Sequence, residues 1–408
     1  MKVAVLGSGA REHALVARFS EELGAAAVVV TPGGEGVPGS FACADSELLE
    51  ALRSRKVTHV VVGPESLLAS GLADRLRAAG MAVLGPGEDD ARLETSKAFA
   101  KDFMTRHRVA RAKSETVRGV SVARSLGQDM LASLGAVVLK YDGLAAGKGV
   151  FVCPSAASLE AALVTIEATW GAGAEVILEE HLRGRELSLV ALVAGGQARL
   201  FPPVEDHKQL LDDDRGPMTG GMGASYPVPF DSPELRERLL RDIVEPTLRG
   251  LRADHPDYRG VIFFGIMVTE EGPKLLEYNV RFGDPETQVL TVGMGESLSA
   301  LCSEAAEGRV VPGWIDMQAG ASICVVLAAP GYPERPRLGL PFRSPEAPGV
   351  RLFSAGVARG PDGLRTAGGR VLSVVATAAT LEQARQVAYA ALGPETVLQF
   401  RRDIGARR

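Results

Sequence analysis

Four short apolar runs, Val3–Leu6, Ala26–Val30, Val57–Val62 and Ala82–Leu84, do most to limit what this chain can fold into. Each stops at a turn rich in glycine, proline or charge: "GSGARE", "TPGGEG", "GPES" and "GPGEDD". Between them lie helical patterns near His13–Leu23, Ser46–Ser54 and Leu67–Ala79. Strands and helices alternating at such short spacing predict a doubly wound parallel sheet. In sheets of that kind ligands sit beyond the carboxyl ends of the strands, so the four turns should face one crevice.

From about Arg92 the rhythm changes. The helical stretch "ETSKAFAKDFMTRH" leads into strands at Val137–Tyr141 and Gly149–Val152, and a helix over Ser158–Thr169 follows. Further strands are expected at Val176–Leu178, Leu187–Val193, Ala198–Phe201, Val261–Val268 and Lys274–Asn279. This is an α+β pattern. The segment "RVVPGWIDMQAG" then separates a tail with strands at Ala321–Leu327 and Val371–Val375, and its last helix opens on "TLEQ", a capping-box pattern of Thr380 with Gln383. The 408 residues leave room for several domains, read here as 1–95, 96–318 and 319–408.

A net charge of −5 argues against a nucleic-acid binder acting through bulk charge. The four cysteines, Cys43, Cys153, Cys302 and Cys324, are widely spaced and read as free thiols in a reducing compartment. The opening apolar run is too short for a signal peptide, and no stretch approaches a membrane span. A soluble, cytoplasmic protein is expected.

"KYDGLAAGKGV" looks built for phosphates but is not a P-loop: three residues, not four, separate Gly143 from Gly147-Lys148, and Gly149 offers no hydroxyl to a magnesium ion. Taken alone it also fits a flexible hairpin. Its lysines tilt the reading: Lys140 closes an apolar strand, where its charge must reach water or an anion, and Lys148 lies in the loop. Mobile amides with ammonium groups suit a lid over polyphosphate. "GSGARE" starts like a dinucleotide fingerprint but has Glu12 at the third glycine, and the second strand ends in Thr31-Pro32 rather than an acid, so NAD is disfavoured. What remains is an exposed helix N-terminus able to hold an anion.

"VILEEHL" ends a strand with Glu179 and Glu180; it is a solvated turn or, beside a nucleotide lid, a source of backbone groups for adenine and a carboxylate for ribose. "LLEYNVRFGDPETQ" carries more. On a strand, Glu277 and Asn279 point to one face and supply hard oxygen donors suited to magnesium. Arg281, Asp284 and Glu286 follow. The alternative is an edge strand with a polar face. "EDHKQLLDDDRGPMTGGMGA" reads as a long structureless functional loop, with Gly220, Gly221 and Gly223 allowing close approach to a substrate and Asp212–Asp214 solvated.

In this order, a helical lysine (Lys97), a strand-end lysine (Lys140), a glycine-rich lid, a Glu-Glu turn and a Glu-x-Asn strand resemble the ATP-grasp ligases. "GSGAREHAL", "VVGPE", "SKAFAKDF", "DGLAAGKGV", "DHK", "GPMTGGMGA" and "RFGDPETQ" are similar to the phosphoribosylamine–glycine ligase family across nearly the whole chain. The resemblance implies an N-terminal sheet of the pre-ATP-grasp type, an ATP-grasp domain with a mobile flap over about residues 113–186, and a small α+β C-terminal domain. It implies ATP with magnesium or manganese as cofactors, glycine and 5-phosphoribosylamine as substrates, and a monomer.

By the same resemblance, Lys97, Lys140 and the flap (Gly143, Ala145, Gly147, Lys148, Gly149) would meet the ATP phosphates. Glu179 and Leu182 would meet the adenine edge, Glu186 the ribose, and Glu277 with Asn279 the metal, with Glu180 also at the ATP site. Arg281, Lys140, Asp206 and Lys208 would carry the catalytic step. The acceptor substrates would meet Gly9, Arg11, Glu12, Gly63, Pro64, Glu65, Asp206, His207, Lys208, Gly220, Gly221, Gly223, Arg281, Asp284 and Glu286. Two departures stand out: Tyr141, where the family has a small residue, would reshape the adenine pocket, and "PPVEDHKQLLDDD" differs from the usual lead-in to DHK. The tail has no motif of its own and is expected to pack on the first domain and close the crevice. Another acid–amine pair, or a nucleotide-binding protein without catalysis, are the alternatives that the residue chemistry leaves.

Overall fold

The computed structural model describes residues 1–144, 149–318, 320–345, 347–393 and 396–406. Its first segment holds β1 (Val3–Gly7), α1 (Ala10–Leu23), β2 (Val28–Pro32), α2 (Leu48–Ser54), β3 (His59–Val62), α3 (Glu65–Ala69), α4 (Leu72–Ala78) and β4 (Ala82–Leu84). The strands are all parallel in the order β2-β1-β3-β4, the sheet that the alternation predicts. Two local readings change. The helix expected over Leu67–Ala79 breaks into α3 and α4 at Gly71, which takes a left-handed φ of 69°. The run expected to begin at Ala26 opens instead with a 3₁₀ turn over Ala25–Ala27.

Next come α5 (Glu88–Thr95) and α6 (Lys97–Arg106), two helices where one was expected. Ser96 separates them with extended backbone and caps α6 by accepting from the Phe99 amide at 3.1 Å. A subdomain follows: β5 (Ser114–Arg118), α7 (Val120–Leu134), β6 (Val137–Tyr141), β7 (Val150–Cys153), α8 (Ala156–Trp170) and β8 (Glu175–Glu180). Its antiparallel sheet, ordered β5-β8-β6-β7, packs on both helices around its own core of Val137, Leu139, Leu163, Ile166, Val176 and Leu178.

The middle segment continues with β9 (Arg185–Ala194), β10 (Gln197–Leu200), β11 (Glu205–Asp206), β12 (Gln209–Leu211), β13 (Arg215–Met218), β14 (Gly223–Tyr226), α9 (Pro233–Leu239), α10 (Glu245–Asp254), β15 (Arg259–Thr269), β16 (Gly272–Asn279), α11 (Glu286–Gly293), α12 (Leu298–Ala306) and β17 (Gly313–Trp314). The stretch from Glu205 to Ala224 is therefore not structureless: β12 and β13 form a hairpin, and β11 and β14 are sheet strands. Its polar residues hid a strand pattern because the hairpin is largely exposed on both faces. Strand β16 is the edge of a sheet ordered β16-β15-β9-β10-β17, so the edge-strand alternative holds as topology.

The tail adds β18 (Ala321–Ala328), β19 (Val350–Ser354), β20 (Val357–Gly360), β21 (Gly363–Thr366), β22 (Arg370–Ala378) and α13 (Leu381–Ala390), whose N-cap Thr380 accepts from the Gln383 amide. Its main sheet is ordered β11-β14-β18-β22-β19, so two strands of the middle segment belong to the tail's sheet. One core cluster joins Val3, Val5 and Phe19 to Val190, Phe263 and Phe282 and to Cys324, Phe353 and Val375. The tail also clasps α1: the Ser354 amide donates to His13 Nδ1 at 2.9 Å, and Arg351 pairs with Glu21. The four cysteines are free thiols, with Cys43 only partly buried. Among the described residues no helix is long and apolar enough to cross a membrane.

Candidate active site

One cleft of about 680 Å³ opens where the three segments meet. Its walls are the β1–α1 turn with Pro64 and Glu65, the faces of α6, β6, β8 and β16, and Tyr332 with Arg370 from the tail. It brings together Gly9, Arg11, Glu12, Lys97, Lys140, Gly143, Gly149, Glu179, Glu180, Leu182, Glu186, Asp206, Lys208, Gly220, Glu277, Asn279, Arg281, Asp284 and Glu286. Ala145, Gly147 and Lys148 lie outside the described residues.

Four expected residues do not line it: Gly63, His207, Gly221 and Gly223. Their smallness or polarity serves the protein itself. A Cβ on Gly63 would sit 1.9 Å from Glu12 Oε1, one on Gly221 would sit 2.6 Å from Pro285 Cδ, and one on Gly223 would sit 2.7 Å from the Cys324 carbonyl oxygen. His207 is buried, and its backbone bonds to Gly223 and Met222 at 3.0 and 2.8 Å.

On one side of the cleft, α6 and the end of β6 are bound together. Asp142 accepts from Ser96 Oγ at 3.1 Å and from the Ala98 amide at 3.0 Å, placing a carboxylate at the positive end of α6. Lys97 Nζ donates to the Gly143 carbonyl at 2.9 Å. Burial lowers the Lys97 pKa, with Glu277 opposing the shift. Below them Glu179, 2 % exposed, lies between two lysines: Lys101 Nζ is 2.9 Å from Oε1 and Lys140 Nζ is 3.0 Å from Oε2. Lys140 thus meets an anion from the protein rather than water. The Glu179 carboxylate, expected at the adenine edge, is engaged instead with these two ammonium groups.

Strand β16 supplies the carbonyl that completes this cluster. A bulge opposite Gly265–Ile266 leaves Leu276 without a ladder partner. The Leu276 carbonyl accepts from Lys101 and Lys140, each at 3.3 Å. Tyr141 does not reach the cleft. Alternation along β6 sends it to the face opposite Lys140, where it stacks on Trp170 with ring centroids 4.1 Å apart, so it does not reshape the pocket.

Opposite, Glu277 and Asn279 share one face of β16. Lys208 Nζ stands 3.5 Å from Glu277 Oε1 and 3.8 Å from Glu186 Oε2. Burial by itself would raise the Glu277 pKa, but Lys208, Lys140, Lys97 and Arg281 bring it down to about 2. Burial likewise would lower Lys208, and Glu277, Glu186, Asp206 and Glu286 raise it instead. Arg281 lies 3.3 Å from Glu65 and 3.1 Å from Glu94, and donates to Asn279 Oδ1 at 3.4 Å. A carboxylate held ionised beside an amide oxygen fits a divalent cation that takes its other ligands from phosphate and water.

At the far end Glu12 turns back on its own helix. Its Oε2 accepts from the Gly9 amide at 2.7 Å and its Oε1 from Arg11 Nε at 2.6 Å. The helix N-terminus expected to be exposed is therefore capped from within, and both Glu12 oxygens are engaged. Asp284 pairs with Arg370 at 3.1 Å and accepts from Gln288 at 2.7 Å. Arg370 also donates to the Gly220 carbonyl at 2.8 Å, and Tyr332 Oη accepts from the Gly220 amide at 3.0 Å. Burial, then the Glu286 charge, pushes the Asp206 carboxyl well above its ordinary range, and burial raises Glu286 too.

Lys101, Glu94, Tyr332 and Arg370 escaped the sequence reading. Lys101 carried a signal, since it stands four residues after Lys97 on one helix face. Glu94, Tyr332 and Arg370 carried none, because their partners are remote in sequence.

Comparison with known proteins agrees across the whole length. Family models described as the N domain, the ATP-grasp (A) domain and the C domain of phosphoribosylglycinamide synthetase match residues 1–94, 95–287 and 322–407. A phosphoribosylamine–glycine ligase of Mesorhizobium japonicum is 40% identical over 420 residues, covering 99% of this chain and 98% of its own. One from Caulobacter vibrioides is 40% identical over 427 residues, covering 100% and 98%. The crystal structure of phosphoribosylamine–glycine ligase from Thermotoga maritima superposes with a TM-score of 0.86 at 33% identity, covering 99% of this chain and 100% of that one. A biotin carboxylase from Campylobacter jejuni in complex with a β,γ-ATP ligand shares the fold alone, with a TM-score of 0.72 at 16% identity, covering 98% of this chain and 92% of its own.

Proposed function

The chain belongs to the phosphoribosylglycinamide synthetase family, ATP-grasp ligases of purine biosynthesis, and from that premise we propose that it joins glycine to 5-phosphoribosylamine. The reaction gives glycinamide ribonucleotide, ADP and phosphate. Magnesium or manganese as the metal, a cytoplasmic setting and a monomeric state belong to the same proposal, as do domains over 1–95, 96–318 and 319–408. The observation that carries it is the convergence of Lys97, Lys140, Lys208 and Arg281 on the ionised Glu277 carboxylate in one cleft.

A carboxylate resists attack by an amine because it would have to expel oxide. Transfer of the ATP γ-phosphoryl group to the glycine carboxylate gives glycyl phosphate, from which phosphate leaves readily. The amine of phosphoribosylamine then attacks the carbonyl. Such chemistry asks the protein chiefly to position reactants and neutralise charge. Lys97 and Lys140 would meet phosphate oxygens, with the chain around Gly143 and Gly149 beside them. The turn at Glu180 and Leu182 takes the adenine edge and Glu186 the ribose. A divalent cation held by Glu277 and Asn279 would neutralise phosphate charge. Arg281 steadies the transferred phosphoryl group, and Asp206 with Lys208 works at the acyl centre. The acceptor end of the cleft, with Gly9, Arg11, Pro64, Glu65, Gly220, Asp284 and Glu286, receives phosphoribosylamine.

ADP release measured with magnesium-ATP, glycine and freshly generated phosphoribosylamine, and with each omitted in turn, tests this. Turnover should need all three, with glycinamide ribonucleotide appearing in step with ADP. Turnover with a different acid–amine pair in place of these two would overturn the substrates while keeping the ATP-dependent chemistry.

A further inference from the structure

Two lysines serve one buried carboxylate beneath the nucleotide side of the cleft, and only one of them has a role so far. We infer that Lys101 is a positioning residue: it keeps Glu179 paired when Lys140 turns from that carboxylate to the nucleotide phosphates. The inference rests on the reading above that Lys140 serves the nucleotide.

The geometry assigns this division of labour. Lys101 Nζ and Lys140 Nζ lie 2.9 and 3.0 Å from different oxygens of Glu179, and both donate to the Leu276 carbonyl at 3.3 Å. Two ammonium groups on one carboxylate leave a surplus positive charge in the floor of the cleft, which a phosphate oxygen would balance. Lys140 lies within β6, one residue before its end, and its charge acts on Lys97 and Glu277 as well as on Glu179. Its side chain, rather than that of Lys101 inside helix α6, is the one placed to turn toward the nucleotide side. A carboxylate only 2 % exposed is costly to leave unpaired, so it would retain a lone lysine. With Lys101 present, Lys140 can leave without stranding Glu179.

The surroundings bear on pH as well. Lys101 faces Glu179 on β8, Lys140 on β6, the Arg111 charge beyond the end of α6, and the neutral Leu276 carbonyl on β16. Burial first, then Lys140 and Arg111, outweigh Glu179 and lower the Lys101 pKa to about 8. Above that pH Lys101 loses its charge and Glu179 should hold Lys140 more tightly.

The test is the affinity of the full chain for a magnesium-bound, non-hydrolysable ATP analogue, by titration calorimetry. Lys101→Met should weaken it by about tenfold or more, since Glu179 then keeps Lys140. Lys101→Met/Glu179→Gln should bind within about threefold of Glu179→Gln alone, because no carboxylate remains to hold Lys140. Wild-type affinity should decline as pH rises through about 8, and Lys101→Arg should remove that inflection. A merely structural lysine predicts the opposite: full loss in the double variant and no such inflection. Either result, or wild-type affinity in Lys101→Met, overturns the inference. If Lys101→Met fails to fold by circular dichroism, the double variant, in which residue 179 no longer carries a charge that needs a partner, decides. Lys140→Met is the separate control: unchanged affinity there would overturn the nucleotide reading itself, and this inference with it.

Discussion

Glu277 is held ionised by four cations contributed by α6, β6, the segment after β11 and the end of β16. Replacing its charge but not its shape should therefore stop chemistry without disturbing packing. We expect Glu277→Gln to lower kcat by roughly two to three orders of magnitude, the scale set by losing one preorganised electrostatic contact. Its melting temperature should stay near wild type, since Lys208 keeps Glu186. Full turnover with unchanged metal dependence would remove Glu277 from the machinery. Its pairing with Asn279 was legible in the sequence, because period-two alternation puts both on one face. Of its four cations only Arg281 stands in the same stretch; Lys97, Lys140 and Lys208 are far from it along the chain.

Among the elements, the β12–β13 hairpin owes its place to the chain's end. Arg401, fully buried, donates to the Gln209 carbonyl at 3.0 Å and pairs with Asp214 at 2.9 Å and Asp403 at 2.6 Å. The Arg402 amide reaches Asp212 Oδ1 at 2.7 Å. The run Asp212–Asp214 is solvated at Asp213 and Asp214, as expected, and it also clasps the tail. Arg401→Met removes the buried member of this network and should cost roughly 1–3 kcal/mol in urea unfolding, since Asp214 can turn to water. Because Lys208 and Met218 flank the hairpin and line the cleft, the same variant should raise KM for at least one substrate. Unchanged stability and kinetics would show that the hairpin holds itself. No sequence pattern announced this clasp: charged residues at a turn look solvated until their partners arrive from the other end of the chain.

At the scale of the molecule, the tail supplies both a wall and a clamp. Arg370 crosses from β22 to Asp284 and Gly220, so Arg370→Gln should cut kcat/KM for the acceptor amine by about tenfold or more. Circular dichroism should show an intact fold, and unchanged kinetics would make the contact ornamental. His13 is the clamp on the opposite face of α1. Its Nδ1 accepts from the Ser354 amide and its ring meets Phe353 edge-on at 5.5 Å, contacts that need a neutral imidazole. Burial lowers its pKa from 6.5 to about 4. The folded state then binds fewer protons than the unfolded one between those values, so stability falls as pH drops through that window. At most about 3 kcal/mol is at stake, and His13→Gln should flatten that part of the urea-midpoint profile.

The chain by itself determined the strongly patterned elements. Apolar runs ending in glycine turns specified the parallel sheet, and the Glu-x-Asn strand put two oxygen donors on one face, because side-chain period and turn stereochemistry are local properties. Only the tertiary structure decided which charges meet. Whether Lys140 faced water or Glu179, whether Tyr141 or Lys140 entered the cleft, and whether β11 and β14 belonged to the middle or the tail all depended on partners distant in sequence. Ion pairs act through space, and folding alone sets those distances.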